Sequence, residues 1–377
     1  MIINGKDVEI TIDFKKGVES FSELVLFSDM EMKLLIRDSL RSKTSPNIRE
    51  MAYSYSAGDI DRLFEYGKIV TERLATGILR SHPELIVSER LELNISLILI
   101  RKADFHKDLN KPIARYIKEK SSVNNSFIEI NLEFLLYYLL KSGIANVYGT
   151  MYHEFLHHLR IANFDKVENA MKSMNALVKQ GKIPPNLNFG VSFMERTISE
   201  GPAEFGNLMK TTRKIFSSYW IFLQALEFYE KLSKQFEKKE VRKTIVKALT
   251  RLPYELGSVM TAMIVVSKLE DCGKGDMVLI LPRFVLFGKK EYPISEIKKY
   301  YPKKMFDFCF IKSFETDKII YSTLARLSAL NHIAFLKEYE EVCRNLEVEP
   351  VLGIKQYSDW RKECNKNYKE YLSSKKK

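Results

Sequence analysis

Tyr148-Gly149-Thr150-Met151-Tyr152-His153-Glu154-Phe155-Leu156-His157-His158-Leu159 is the stretch on which the reading of this chain turns. It contains the pattern His-Glu-x-x-His. On a helix, residues four apart share a face, so His153 and His157 can aim two imidazole nitrogens at one tetrahedral zinc ion. Glu154 is then angled beside the metal, where it can take a proton from a metal-activated water and return it to a leaving group. Six histidines in 377 residues make an accidental match on the order of once in a hundred such chains. The spacing also predicts the helix the motif needs. Ile144, Val147, Tyr148, Met151, Phe155 and Leu159 recur at i, i+3, i+4 as a buried stripe, and both motif histidines fall off it. His158 points about 100° away from His157 on such a helix and is read as structural or as a support to the ligands.

A catalytic zinc site takes three protein ligands and keeps one open position. The continuation of the motif excludes one class of site, because Arg160 and Asn163 stand where a metzincin places Gly and then His or Asp. Further on comes Thr197-Ile198-Ser199-Glu200-Gly201-Pro202-Ala203-Glu204-Phe205. Its Glu-Gly-x-Ala core resembles the third-ligand helix of the gluzincin metallopeptidases, the thermolysin-like group. The resemblance covers roughly residues 125–270. It implies a zincin-like fold and hydrolysis of peptide bonds in a peptide or protein substrate. Glu200 matches the third zinc ligand. Glu204, one turn later, is the alternative ligand or a carboxylate that orients a ligand histidine. Pro253-Tyr254-Glu255-Leu256-Gly257 is similar to a Tyr-x-x-Gly element of several gluzincin families. Tyr254 there would donate to the oxyanion, or else simply pack at a helix start. Gly257 would let its helix approach a neighbour closely. Ser126–Asn131 looks like the edge strand on which such peptidases align an extended substrate. Locally, Thr197-x-x-Glu200 also reads as a capping box, with Pro202 in the first turn of a helix beginning near Glu200.

Outward from these motifs the first half is mixed. Val8, Ile10, Ile12 and Phe14 alternate with polar residues after Asn4-Gly5, which predicts a hairpin turn into a strand. Helices are expected at Met30–Ser42 and Ile60–Arg80 and strands at Leu91–Arg101 and Ser126–Ile130. A further helix, Leu132–Lys141, is expected with Asn131 as N-cap and Gly143 as stop. After Ile144–Ile161 the pattern is helical almost to the end, with strand signals sparse: Lys166–Lys179, about Ser199 to Lys239, Val241–Leu249 and Tyr254–Leu269. The reading is an α+β, predominantly helical fold. It has a small N-terminal sheet and the zinc-binding helix in residues 1–180 and a helical part with the third ligand in 181–377, divided in the loop Gly181–Gly190.

Composition is that of a globular chain, 45% hydrophobic and 29% charged. No apolar run reaches the roughly 18 residues of a membrane span, and Met1–Asp7 lacks the basic and apolar regions of a signal peptide. Cys272, Cys309, Cys343 and Cys364 are too scattered for a metal ribbon and read as free thiols. A cytoplasmic protein is expected. The net charge of +12 comes from lysines spread along the chain and reads as solvated surface rather than a nucleic-acid footprint. His82, His106 and His332 have no metal-like spacing. The function expected is that of a zinc metallopeptidase. The alternatives are a non-catalytic peptide- or protein-binding protein on a peptidase scaffold and a basic nucleic-acid-associated protein.

Overall fold

The computed structural model describes residues 1–17, 29–41, 45–100, 114–118, 120–164, 189–211, 239–272, 284–287, 290–293, 314–347 and 349–374. They form a mixed α+β fold that is mostly helical, as expected. Two compact units partition the chain: Met1–Asn163 with Gly206–Thr212, and Phe164–Phe205 with Arg213–Lys377. Among the described residues no helix is long and apolar enough to cross a membrane.

The first unit is built on a five-stranded sheet. Strands β1 (Ile2–Ile3) and β2 (Lys6–Lys16) form the predicted hairpin. Asn4 and Gly5 carry it at φ 51° and 78°, both in the left-handed region a two-residue turn requires. Helices α1 (Asp29–Arg41), α2 (Pro46–Ala57) and α3 (Ile60–Ser81) then lead to β3 (Arg90–Leu99), which runs parallel to β2 with Val8 opposite Leu91. The alternation read in β3 is realised, because Leu91, Leu93, Ile95, Leu97 and Leu99 are all buried. Helix α2 was not anticipated. Its buried face, Ile48, Met51, Ala52 and Ser54, is short and partly polar, so periodicity is weak, and only Pro46 at its start and Gly58 at φ 74° after its end mark it.

Two further strands complete the sheet, β4 (Ala114–Tyr116) and β5 (Asn125–Asn131), in the order β1-β2-β3-β5-β4. This corrects the placing of Ser126–Asn131 at the sheet edge. β5 is an interior strand, parallel to β3 and antiparallel to β4, and β4 occupies that edge. Three residues are too few for alternation to show, so the strand that covers β5 left no pattern to read. Helix α4 (Leu132–Ser142) starts as predicted, with the Asn131 side chain accepting from the N–H groups of Glu133 and Phe134, and Gly143 follows its end at φ 74°. Helix α5 (Ile144–Phe164) carries the motif. Its stripe differs from expectation at one end, where Ile144 is exposed. Elsewhere the enclosure is wider than a stripe: Val147, Met151, Tyr152, Phe155, Leu156, His158 and Leu159 are all buried.

Among the described residues the second unit is helical apart from one strand pair. Helix α6 (Phe189–Thr211) runs through Phe205 in this unit, and its remaining residues belong to the first. Its start corrects the capping-box reading. Pro202 lies inside the helix and Thr197 is mid-helix, its hydroxyl bonding back to the Phe193 carbonyl at 2.8 Å, a bond an N-cap does not make. Helix α7 (Lys239–Asp271) likewise joins the expected Val241–Leu249 and Tyr254–Leu269 into one, with Pro253 inside it. In both cases a proline was read as a boundary, but each removes only its own hydrogen bond and tertiary packing keeps the helix continuous. Strands β6 (Phe284–Phe287) and β7 (Lys290–Pro293) form an antiparallel pair. Helices α8 (Phe314–Ser328), α9 (His332–Asn345) and α10 (Ile354–Ser374) follow, with α7 packed on α8 and α9. Helix α10 braces the first turns of α6. The Tyr357 hydroxyl donates to Glu195 Oε1 at 3.1 Å, and a methyl group on Gly190 would stand 2.6 Å from the Trp360 ring. The expected helix Lys166–Lys179, loop residues 181–188, the 212–238 part of the run after Ser199, His106 and Cys309 lie outside the described residues.

Candidate metal centre

Helix α5 presents the two motif histidines on one face, as the spacing requires. His153 Nε2 and His157 Nε2 stand 3.0 Å apart with the rings edge to face. Two nitrogens on one tetrahedral zinc, each about 2.0–2.1 Å from the ion, are roughly 3.3–3.4 Å apart, so a shift of a few tenths of an ångström accommodates it. One ligand atom from each of His153, His157 and Glu200 lies within 4.8 Å of the other two, a group able to hold a metal ion. Two imidazoles and a carboxylate are a donor set that suits zinc, and three protein ligands leave a fourth position for a reactant.

The approach of α6 to α5 is visible within the first unit. Gly206 lies against Tyr152, and a methyl group there would stand 2.8 Å from the aromatic ring. Tyr152 is itself buried, and its ring centroid lies 4.8 Å from that of His82. Small size at position 206 thus lets the helix sit directly on α5, and Glu200 precedes that contact by less than two turns.

Glu154 is buried beside the histidines. Its Oε2 accepts a hydrogen bond of 2.8 Å from the backbone N–H of Tyr116 in β4. The Tyr116 hydroxyl meets His158 Nδ1 at 3.2 Å. Burial pushes the Tyr116 hydroxyl up to about 12 and holds His158 down to about 4, so at neutral pH both are uncharged and add no charge next to the ligands. His158 therefore touches the strand rather than standing idle on the helix.

Within the second unit, Arg196 lies between Glu200 and Tyr254. Its Nε lies 3.8 Å from Glu200 Oε1, and its terminal nitrogen donates to the Tyr254 hydroxyl at 3.1 Å with the guanidinium 5.3 Å from the ring centre. Such a partly exposed ion pair contributes little stability. Tyr254 reaches this place because α6 and α7 cross at two glycines. A methyl group on Gly257 would stand 2.6 Å from Gly201 Cα and collide with the Thr197 carbonyl, and one on Gly201 would stand 2.5 Å from the Gly257 carbonyl oxygen. The close approach expected of Gly257 is thus made to Gly201, the residue after Glu200. Glu204 is partly exposed one turn beyond Glu200 and outside the three-residue group.

No protein-family model, curated protein or solved structure matches this chain. The chemistry assigned to the site therefore rests on its residues.

Two site residues escaped the sequence reading. Arg196 carried a faint signal, an opposite charge four residues before Glu200, but arginine-to-glutamate spacings of four are common on helix surfaces. Tyr116 carried none.

Proposed function

We propose that the chain is a zinc-dependent metallopeptidase with a zincin-like, gluzincin-like core, in which His153, His157 and Glu200 hold the metal. The observation that carries this reading is the convergence of those three side chains, from residues 47 positions apart at the extremes. When bound, zinc supplies Lewis acidity that makes a water a better nucleophile and polarises a carbonyl.

The chain's own residues account for the rest. The Tyr116 N–H holds Glu154 Oε2, which orients the carboxylate so that Oε1 takes a proton from the attacking water. The hydroxide oxygen adds to the scissile carbonyl carbon. The C–N bond breaks as Glu154 passes the proton to the amine nitrogen. Tyr254, whose hydroxyl accepts from Arg196, is the group assigned to donate to the carbonyl oxygen as negative charge develops there. Glu204, on the same helix, is the carboxylate assigned to orient a ligand histidine.

Metal analysis of purified wild-type protein beside His157→Ala and Glu200→Ala tests the site. Stoichiometric zinc in the wild type and its loss in both variants is the expected result; zinc-free wild type, or full occupancy in both variants, removes the proposal. Glu154→Gln is expected to retain zinc and to lose peptide hydrolysis. Unchanged cleavage would take Glu154 out of the mechanism, and zinc without any cleavage by the wild type would turn the reading to a binding protein on a peptidase scaffold.

A further inference from the structure

The motif helix carries two pairs of residues at i, i+4, staggered by one position. His153 and His157 form the metal pair. Glu154 and His158 form the second, and both members of it meet a single residue, Tyr116.

The geometry of β4 explains how one residue makes both contacts. In the antiparallel pairing of β4 with β5, Arg115 lies opposite Glu129, and the Ile117 N–H donates to the Phe127 carbonyl at 2.8 Å. Residues alternate in the direction of their backbone groups along such a ladder. The Tyr116 N–H therefore faces away from β5, toward α5, where Glu154 Oε2 accepts it at 2.8 Å. The ring of the same residue lies with its centroid 6.2 Å from that of His158, and its hydroxyl closes the second bond, 3.2 Å from Nδ1. His158 is 1% exposed, so this bond is shielded from competing water.

We infer that Tyr116 and His158 are positioning residues for Glu154: the His158–Tyr116 side-chain bond holds the edge strand in the place from which its backbone N–H orients the carboxylate. The inference rests on the metallopeptidase reading for the consequence it assigns to that orientation. A glutamate on three rotatable bonds loses rate when it is free to turn away, because proton transfer needs the acceptor within hydrogen-bond reach. A carboxylate held by a charge-assisted bond from a fixed backbone donor stays in register. Neither Tyr116 nor His158 needs to touch substrate for this, and neither is a metal ligand.

The decisive comparison is Tyr116→Phe and His158→Phe, each of which deletes one partner of the side-chain bond while leaving an aromatic ring in its place and the Tyr116 backbone N–H intact. Each is expected to lower kcat about tenfold with KM and zinc stoichiometry unchanged, and the double variant is expected to match Tyr116→Phe, which has already lost the His158 bond together with the hydroxyl's contacts to Ser121 and Ser126. Unchanged kcat in both single variants overturns the inference. So does a parallel fall of kcat, zinc content and thermal stability, which would mark the contact as structural support only.

Amide hydrogen exchange reads the same clamp without catalysis. The Tyr116 amide is expected to be protected in the wild type and to exchange at least about tenfold faster in Glu154→Ala at equal global stability. Equal exchange in both proteins overturns the clamp. If the wild type holds no zinc and cleaves nothing, the metallopeptidase reading fails instead, and the exchange result still decides whether Tyr116 holds Glu154.

Discussion

The two helices that supply the candidate ligands, α5 and α6, are held in different ways. Helix α5 is framed by elements with local signatures: the Asn131 cap, the Gly143 stop, and a sheet whose strands alternate in burial. Helix α6 has no such frame at its functional end. Its Glu200 is placed by glycines, where α6 meets Tyr152 through Gly206 and α7 through Gly201 and Gly257, and by Arg196, which links it to Tyr254. The difference teaches that the histidine pair is a property of one helix, whereas the placing of Glu200 and its neighbours is a property of packing.

Substitutions at the glycines test this contrast most severely. Gly257→Ala places a methyl group against backbone atoms of Gly201 and Thr197, which cannot move aside as a side-chain end can. A loss on the order of 3 kcal/mol is expected in denaturant unfolding, despite the gain in helix propensity. Stability equal to wild type would mean that α6 and α7 do not cross at these residues. Gly206→Ala meets the Tyr152 ring instead and is expected to cost less, about 1–2 kcal/mol, because a ring can yield by a few tenths of an ångström. A larger loss at Gly206 than at Gly257 would reverse the assignment of the tighter contact.

Arg196→Ala sharpens the comparison on the metal side. Removing the cation beside Glu200 is expected to weaken zinc binding about 10-fold, within the range for groups that orient a ligand, with Arg196→Lys recovering part of it. Competition with a chromogenic chelator measures this, and undiminished affinity in Arg196→Ala would leave Glu200 oriented by something else. The smallest expected effect lies on the locally specified side. Asn131→Ala removes an N-cap that serves two backbone N–H groups and is expected to cost about 1 kcal/mol in unfolding while leaving zinc affinity unchanged. A fall in zinc affinity there would show that α4 and the motif helix are coupled more tightly than their separate caps suggest.

Much of the first unit was legible because its signals are short-range. The turn at Asn4-Gly5, the alternation of β3 and the boundaries of α3, α4 and α5 all follow from residues within a few positions of one another. What was misread has a common cause. β4 is too short to carry a period, so β5 was taken for the edge strand. Pro202 and Pro253 suggest boundaries, whereas α6 and α7 run through them. A proline forfeits one backbone hydrogen bond, and whether a helix survives that loss depends on the surfaces packed around it. The link from Arg196 to Tyr254 and that from Tyr116 to Glu154 leave no sequence signal for a related reason, since these partners lie 58 and 38 residues apart.

The sequence by itself determined that His153 and His157 share one face of a helix, because residues four apart must do so, and that Glu154 follows the first of them. Through Gly257 it also foretold a close helix approach, without naming the partner. Only the tertiary structure decided that the partner is Gly201, that Arg196 stands between Glu200 and Tyr254, and that His158 and Glu154 meet one residue of the edge strand. The physical reason is range: helical periodicity reaches one turn, but a backbone N–H aimed at a carboxylate from another strand is set by the register of a sheet, which no neighbouring residue encodes.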